Sequence, residues 1–232
     1  MAEFHKLIAD VREALEHHGA PAHNGGSAST AAVPTTAAAR RVELASQFAR
    51  ELHALGGHFL GVLTPRQTVP RILEIAAALN ARSVAVGAGI VSDPAPIVRA
   101  LELTGVSIIR TAAVADDAAR AELRGNLARC DFAVVEADYA IAATGTLAML
   151  ATPERPGSLS LLPPVNVILV NAERILPDLA TVLATIGPAA IATHRLALVT
   201  GPSRTADIEK RIVVGVHGPR EVHVAVVWHG DD

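Results

Sequence analysis

Hydroxyl, carboxylate and guanidinium groups gather around glycines at three points of this chain, each at the end of an apolar run. The first is Gly87-Ala88-Gly89, directly after the run SVAV. A dinucleotide-binding loop begins this way, but Ser92 stands where its third glycine belongs. The following strand also ends at Arg110 rather than at an acid for a ribose, so a tight strand-to-helix turn is the simpler reading. The second point is Ala143-Thr144-Gly145-Thr146, inside an apolar stretch. Its glycine permits close backbone approach to a ligand, and its threonines can donate and accept hydrogen bonds. Just upstream, Glu136 and Asp138 are two apart on a predicted strand and so share a face. They form either a solvated pair or a general base or carboxylate nucleophile. The third point is Gly201-Pro202-Ser203-Arg204-Thr205, with Asp207 and Glu209 following, predicted to open a helix. Its hydroxyls, guanidinium and unpaired N–H groups suit a carboxylate or phosphate. Capping by Ser203 or Thr205, and acids placed for the helix dipole, explain the same residues without a ligand.

Other reactive side chains say less. His17-His18, His53 and His58 lack an i, i+4 pair and nearby carboxylates, and read as solvated. His217 and Gly218, in Gly215-Val216-His217-Gly218-Pro219, are different because glycines surround the ring. A ligand contact and a structural role are equally open there. Cys130 is the single cysteine, so the chain can form no internal disulfide and can supply no four-thiolate iron–sulfur site. Its place before Phe132–Val135 reads as a buried thiol more readily than as a nucleophile. The P-loop, zinc-protease and nucleophile-elbow motifs do not occur in the sequence.

The elements that must position these groups follow from apolar spacing. Phe4, Leu7, Ile8, Val11 and Leu15 mark an amphipathic helix that Gly19 and Pro21 stop. Gly19–Thr36, rich in small and polar residues, reads as a linker, giving an N-terminal unit over 1–38 and an α/β domain over 39–232. In the second helix Val42, Ala45, Phe48, Ala49 and Leu52 fall on one face. Beyond residue 57 strands and helices alternate, with helices predicted over Val69–Leu79, Asp116–Arg129, Ile175–Ile186 and Thr205–Val214. Asp93-Pro94 opens a further helix, and Gly105 closes it. Such repeated βα units imply a mainly parallel, mixed sheet with helices on both faces.

Composition narrows the function. Half of the 232 residues are hydrophobic, yet only 3% are aromatic, and the net charge is −3. Scarce aromatic rings and an acidic balance argue against nucleic acid as a partner. No apolar run approaches the roughly 20 residues of a membrane span. The first residues lack a signal-peptide pattern, so a cytoplasmic location is the expectation.

The segments EADYAIAATGTLAML and LVTGPSRTADIEKRIVVGVHGPREVHVAVV resemble the signature stretches of the LUD family, of the lactate-utilisation protein C type. The resemblance extends over roughly residues 40–228. Two positions depart from the family pattern: Ala143 stands where an acid usually precedes the TGT, and Asn166 where a histidine is frequent. The resemblance implies a fold like the NagB/RpiA/CoA-transferase group. It also implies a role in oxidising L-lactate to pyruvate, beside partner proteins that carry iron–sulfur clusters. The resemblance assigns no catalytic residue; on the physical grounds above, Thr144, Gly145 and Thr146 are expected to shape a pocket floor, with Gly87 and Gly89 at a neighbouring loop. Gly201, Ser203, Arg204 and Thr205 hold a small anionic molecule, and His217 and Gly218 close over it. The alternative is a stand-alone enzyme or binding protein for a CoA ester, sugar phosphate or folate, with Glu136 as nucleophile or base.

Overall fold

The structure is a computed structural model that describes residues 37–88, 93–111, 116–188, 195–206, 212–214 and 218–229. Helix α1 spans Ala37–Ala54 and is followed by β1 His58–Leu63, α2 Pro65–Ala78, β2 Ser83–Val86, α3 Ala95–Leu103 and β3 Ser107–Arg110. Then come α4 Asp117–Arg129, β4 Phe132–Ala137, β5 Tyr139–Ile141, β6 Thr146–Ala151 and α5 Ser158–Leu161. The chain continues through β7 Val165–Asn171, β8 Ile175–Leu176, α6 Leu179–Ile186 and β9 Arg195–Val199. It ends with β10 Arg204–Ala206, β11 Ile212–Val214 and β12 Glu221–Val227.

Six strands form a wholly parallel sheet in the order β1-β12-β7-β4-β2-β3. β4 is buried along its whole length, as a near-continuous apolar run in a parallel sheet requires. Alternation along the strands feeds two cores. Phe132, Val134 and Val167 meet Ile72 of α2 and Leu101 of α3 on one face. Ala133, Val135 and Ile168 meet Phe48 and Leu52 of α1 and Leu127 of α4 on the other. The expected α/β class with helices on both faces is therefore present. The apolar stripe of α1 is its buried stripe: Ala45, Phe48, Ala49 and Leu52 are at most 1% exposed. Asp116 caps α4 by accepting from the Ala119 N–H at 2.7 Å. No helix among the described residues is long and apolar enough to cross a membrane.

Two predicted helices are corrected. At the two described ends of Thr205–Val214 the backbone instead forms β10 and β11, an antiparallel pair with Thr205 opposite Val213. The β-branched residues Thr205, Ile212, Val213 and Val214 favour a strand over the helix that capping signals suggested. Over Ile175–Ile186 the first residues form β8, and the helix starts only at Leu179. Pro177 disfavours helical backbone at the residue before it, and Asp178 caps the delayed start by accepting from the Thr181 N–H at 2.7 Å. β8, β5, β6 and β9 form a second, mostly antiparallel sheet, with Val182 of α6 packed on Tyr139, Ile141 and Ala148. The simple strand–helix alternation did not anticipate this sheet.

Candidate functional site

β2 has β3 on one side and β4 on the other, so the chain leaves β2 outward and returns across it. Such a reversal opens a crevice at the carboxyl ends of the strands. A cleft of about 370 Å³, its open mouth included, lies here, lined by Gly87 and Ala88 after β2, Glu136 of β4, Arg155, Leu159 and Ser160. Gly87 faces close packing, since a Cβ there would come within 2.8 Å of Leu159 Cδ2. Glu136 is only 8% exposed. Below the cleft Asn166 is fully buried and donates from Nδ2 to the Ser160 carbonyl at 2.6 Å, tying α5 to β7. Its Oδ1 is buried without a hydrogen-bond partner.

A second cleft, about 600 Å³ with its mouth, opens beyond the carboxyl ends of β4 and β7. Asp138, Tyr139, Asn171, Arg174 and Thr185 line it. Asp138 and Arg155 form the partition between the two clefts. Their side chains are 13% and 18% exposed and approach to 3.3 Å, and Asp138 also accepts from the Leu150 N–H at 2.6 Å. Arg174 has no carboxylate partner among the described residues. It lies over the Tyr139 ring at 5.1 Å and donates to the Tyr139 hydroxyl at 2.7 Å.

Glu136 and Asp138 thus do not act as a pair on one strand face. Glu136 lies within β4, whereas Asp138 lies in the bend after it, and each lines a different cleft. Of the other residues singled out in the sequence, the structure gathers Thr144, Gly145, Thr146, Gly201 and Arg204 around the last turn of α1. Thr146 Oγ1 lies 2.7 Å from Thr144 Oγ1 and 2.9 Å from Thr200 Oγ1, a hydroxyl chain. Gly145 is left-handed (φ 59°), and a Cβ there would stand 2.3 Å from the Leu52 amide nitrogen. A Cβ on Gly201 would stand 3.0 Å from the Leu55 carbonyl oxygen. Arg204 Nη2 donates to that carbonyl at 2.7 Å, satisfying one of the acceptors a helix end leaves bare. Ser203 donates its N–H to Pro219 at 2.8 Å and abuts Gly218. Gly89 and His217 lie outside the described residues, as do Ser92, Asp207 and Glu209; of Thr205 only the backbone is described.

The Arg204 contact carries a prediction. The side chain is exposed, so Arg204→Ala is expected to lower stability by only about 1 kcal/mol in urea titrations. A similar loss from Arg204→Lys would show that the planar guanidinium is what the carbonyl needs.

Cys130 is buried, and its Sγ–H lies 3.2 Å from the Leu127 carbonyl. Burial pushes its pKa from 9.0 to about 11. That depresses the thiolate fraction near neutral pH about a hundredfold. The native chain is therefore expected to react with a thiol reagent at pH 7 at least that much more slowly than the urea-unfolded chain. Equal rates would place the thiol at the surface.

The parallel sheet with helices on both faces and a crevice at its strand ends defines a protein of the α/β class. The chain belongs to the LUD domain family, whose match covers residues 45–227. It is 37% identical over 112 residues to an uncharacterized Escherichia coli protein, YkgG, covering 47% of this chain and 48% of that one. It is also 34% identical over 95 residues to lactate utilization protein C of Halalkalibacterium halodurans, covering 39% of this chain and 41% of that one. Lactate utilization protein C of an Exiguobacterium strain is 33% identical over 116 residues, covering 48% of this chain and 50% of that one. The matched stretch thus spans about half, or slightly less, of each relative's length. The crystal structure of a DUF162 family protein from Deinococcus radiodurans shares the fold, with a TM-score of 0.60 and 22% identity over 81% of this chain and 98% of that one.

Arg155, Arg174 and Tyr139 escaped the sequence reading. Arg155 stands in the stretch ERPG, which shows only a turn, and Arg174 sits at what reads as the start of a helix. An unmatched arginine in sequence gives no sign of which carboxylates will lie beside it.

Proposed function

We propose that this chain serves L-lactate utilisation as a non-redox component, binding a small carboxylate-bearing molecule and working with proteins that carry the iron–sulfur clusters. The observation that carries this reading is the family match over residues 45–227, together with relatives named lactate utilization protein C. Oxidation of lactate to pyruvate releases a pair of electrons, and a chain with one buried thiol has no cluster ligands of its own to receive them.

The second cleft suits the ligand. Arg174, with no carboxylate partner among the described residues, would take a carboxylate through its planar fork. Thr185 Oγ1 donates to the Thr181 carbonyl at 2.7 Å, which leaves its lone pairs to accept from a substrate hydroxyl. Asn171 Oδ1 accepts from the Glu173 N–H at 2.8 Å, leaving its amide N–H groups to donate. A 2-hydroxy or 2-oxo acid matches these donors and acceptors. Ligand capture by Ser203, Arg204 and Thr205 instead would use the guanidinium N–H groups of Arg204 that do not bind the Leu55 carbonyl.

The test is an affinity pull-down of the tagged chain from its own host grown on L-lactate, with mass spectrometry of what is retained. A cysteine-rich iron–sulfur protein should co-purify, and the isolated chain should not oxidise L-lactate with an artificial acceptor. Oxidation by the isolated chain would overturn the proposal. Recovery of the chain alone after gentle lysis would favour the stand-alone reading, with a CoA ester, sugar phosphate or folate as ligand.

A further inference from the structure

The amino ends of the parallel strands, opposite the clefts, carry a second group of side chains with chemistry of its own. His58 opens β1 and is the register partner of His223 in β12. Glu221, the first residue of β12, is two residues before His223, so strand alternation puts both on one face. Partners on neighbouring parallel strands share that face, which brings the second imidazole to the same place. The two rings stack with centroids 4.7 Å apart and planes 20° apart. Glu221 Oε2 is 3.1 Å from His223 Nε2. One ligand atom from each of the three residues falls within 4.8 Å of the others.

We propose that His58, Glu221 and His223 form a binding site for a divalent transition-metal ion, with zinc as its natural occupant by donor chemistry. Two imidazoles and one carboxylate form a set that zinc, cobalt(II) and nickel(II) accept, whereas magnesium and calcium prefer oxygen alone. A metal held at about 2.0–2.2 Å from each donor sets those donors about 3–4 Å apart. The Glu221–His223 separation of 3.1 Å already meets that, and the others lie within 4.8 Å. His58 and Glu221 are exposed, so side-chain rotation closes the remainder without moving the sheet. The ion would replace the proton shared between Glu221 and His223. Three protein ligands leave at least one position for water.

The strands supply the rigidity that such a site needs. His58 and His223 are fixed by the β1–β12 ladder, and β12 is paired with β7 on its other side along its full length. The nearby cation is Arg71 of α2, whose charge opposes that of protonated His223. Arg71 is ion-paired with Glu74 on its own helix, which offsets its repulsion of a metal. An ion here would clasp the edge strand β1 to β12 and add to the stability of the folded chain.

The experiment uses the full chain with its purification tag removed. Cobalt(II) is titrated with visible absorption as the readout, and zinc by calorimetry. One equivalent should bind, with the raised cobalt absorption of a site of low coordination number. His58→Ala and Glu221→Gln should each weaken zinc at least tenfold, and the zinc-dependent rise in melting temperature should vanish in both. These two exposed positions are chosen because His223→Ala, which is half-buried, endangers the fold; circular dichroism confirms that both variants remain folded. Zinc binding weaker than 1 mM in the parent chain would overturn the proposal. So would affinity unchanged by His58→Ala, which would place the metal on other histidines of the chain.

Discussion

Gly145→Ala is expected to destabilise the protein by about 3 kcal/mol or more, the largest loss from adding one methyl group anywhere among the described glycines. Two costs add. The residue sits at φ 59°, ψ 27°, where an alanine is strained by about 1–2 kcal/mol. The new Cβ would also stand 2.3 Å from the Leu52 nitrogen and 2.6 Å from the Glu51 carbonyl carbon. Both contacts are helix backbone, which cannot rotate away as a side-chain tip can. Relief requires α1 to lift from its seat, and α1 carries Phe48 and Leu52 into the larger core. Gly105→Ala isolates the first cost, because its φ is 83° and a Cβ there would meet nothing within 4 Å. Urea denaturation of both variants decides the matter: Gly105→Ala should lose only about 1 kcal/mol. Equal losses at the two positions would mean that α1 is not seated on Gly145.

Arg155→Ala is expected to cost about 2 kcal/mol and to weaken binding of a carboxylate ligand in the adjoining cleft. Its partner Asp138 is mostly shielded from water, so removing the guanidinium strands a carboxylate that retains the Leu150 N–H. A stranded negative charge on the wall of the second cleft would repel an incoming carboxylate, on the order of tenfold in affinity. Asp138→Asn keeps an acceptor for Leu150 and removes the charge. The double variant should therefore lose less stability than the two single losses combined, and should recover the ligand affinity. Strict additivity in stability would show that the two side chains are not coupled in solution.

The central architecture was legible because burial dictates composition. The runs SVAV, FAVVEA and VNVILVN have no polar face to show, as strands covered on both sides cannot, and the stripe from Val42 to Leu52 repeats at the helical period. The strand-like runs in YAIAATGTLAML and LALVT are legible in the sequence, but their pairing into a second sheet is not, since β5 and β8 hold only three and two residues. The segment after Gly201 misled because serine, arginine, threonine and then two acids imitate a helix start, while its pairing depends on Ile212–Val214 further along. The glycine-threonine loop was expected to approach a ligand. What approaches it is the backbone of α1, and sequence alone does not distinguish a helix from a ligand as the neighbour that excludes a Cβ. His58 is exposed, as the sequence suggests, but its companions Glu221 and His223 reach it only through the parallel register of strands far apart in the chain.

That register also has a bearing on how the protein is made. β1 is the first described strand to leave the ribosome, yet its sheet neighbour is β12, and Trp228 closes the pair by donating its N–H to Leu63 at 2.9 Å. β7 and β4 can align beside β2 and β3 while synthesis continues. The apolar segment HFLGVL meanwhile has no strand to pair with, and a bare strand is the kind of surface on which nascent chains stick to one another. Slow, long-range closure is thereby built into the order of the strands. The first strand of the sheet to be synthesised is the last able to join it.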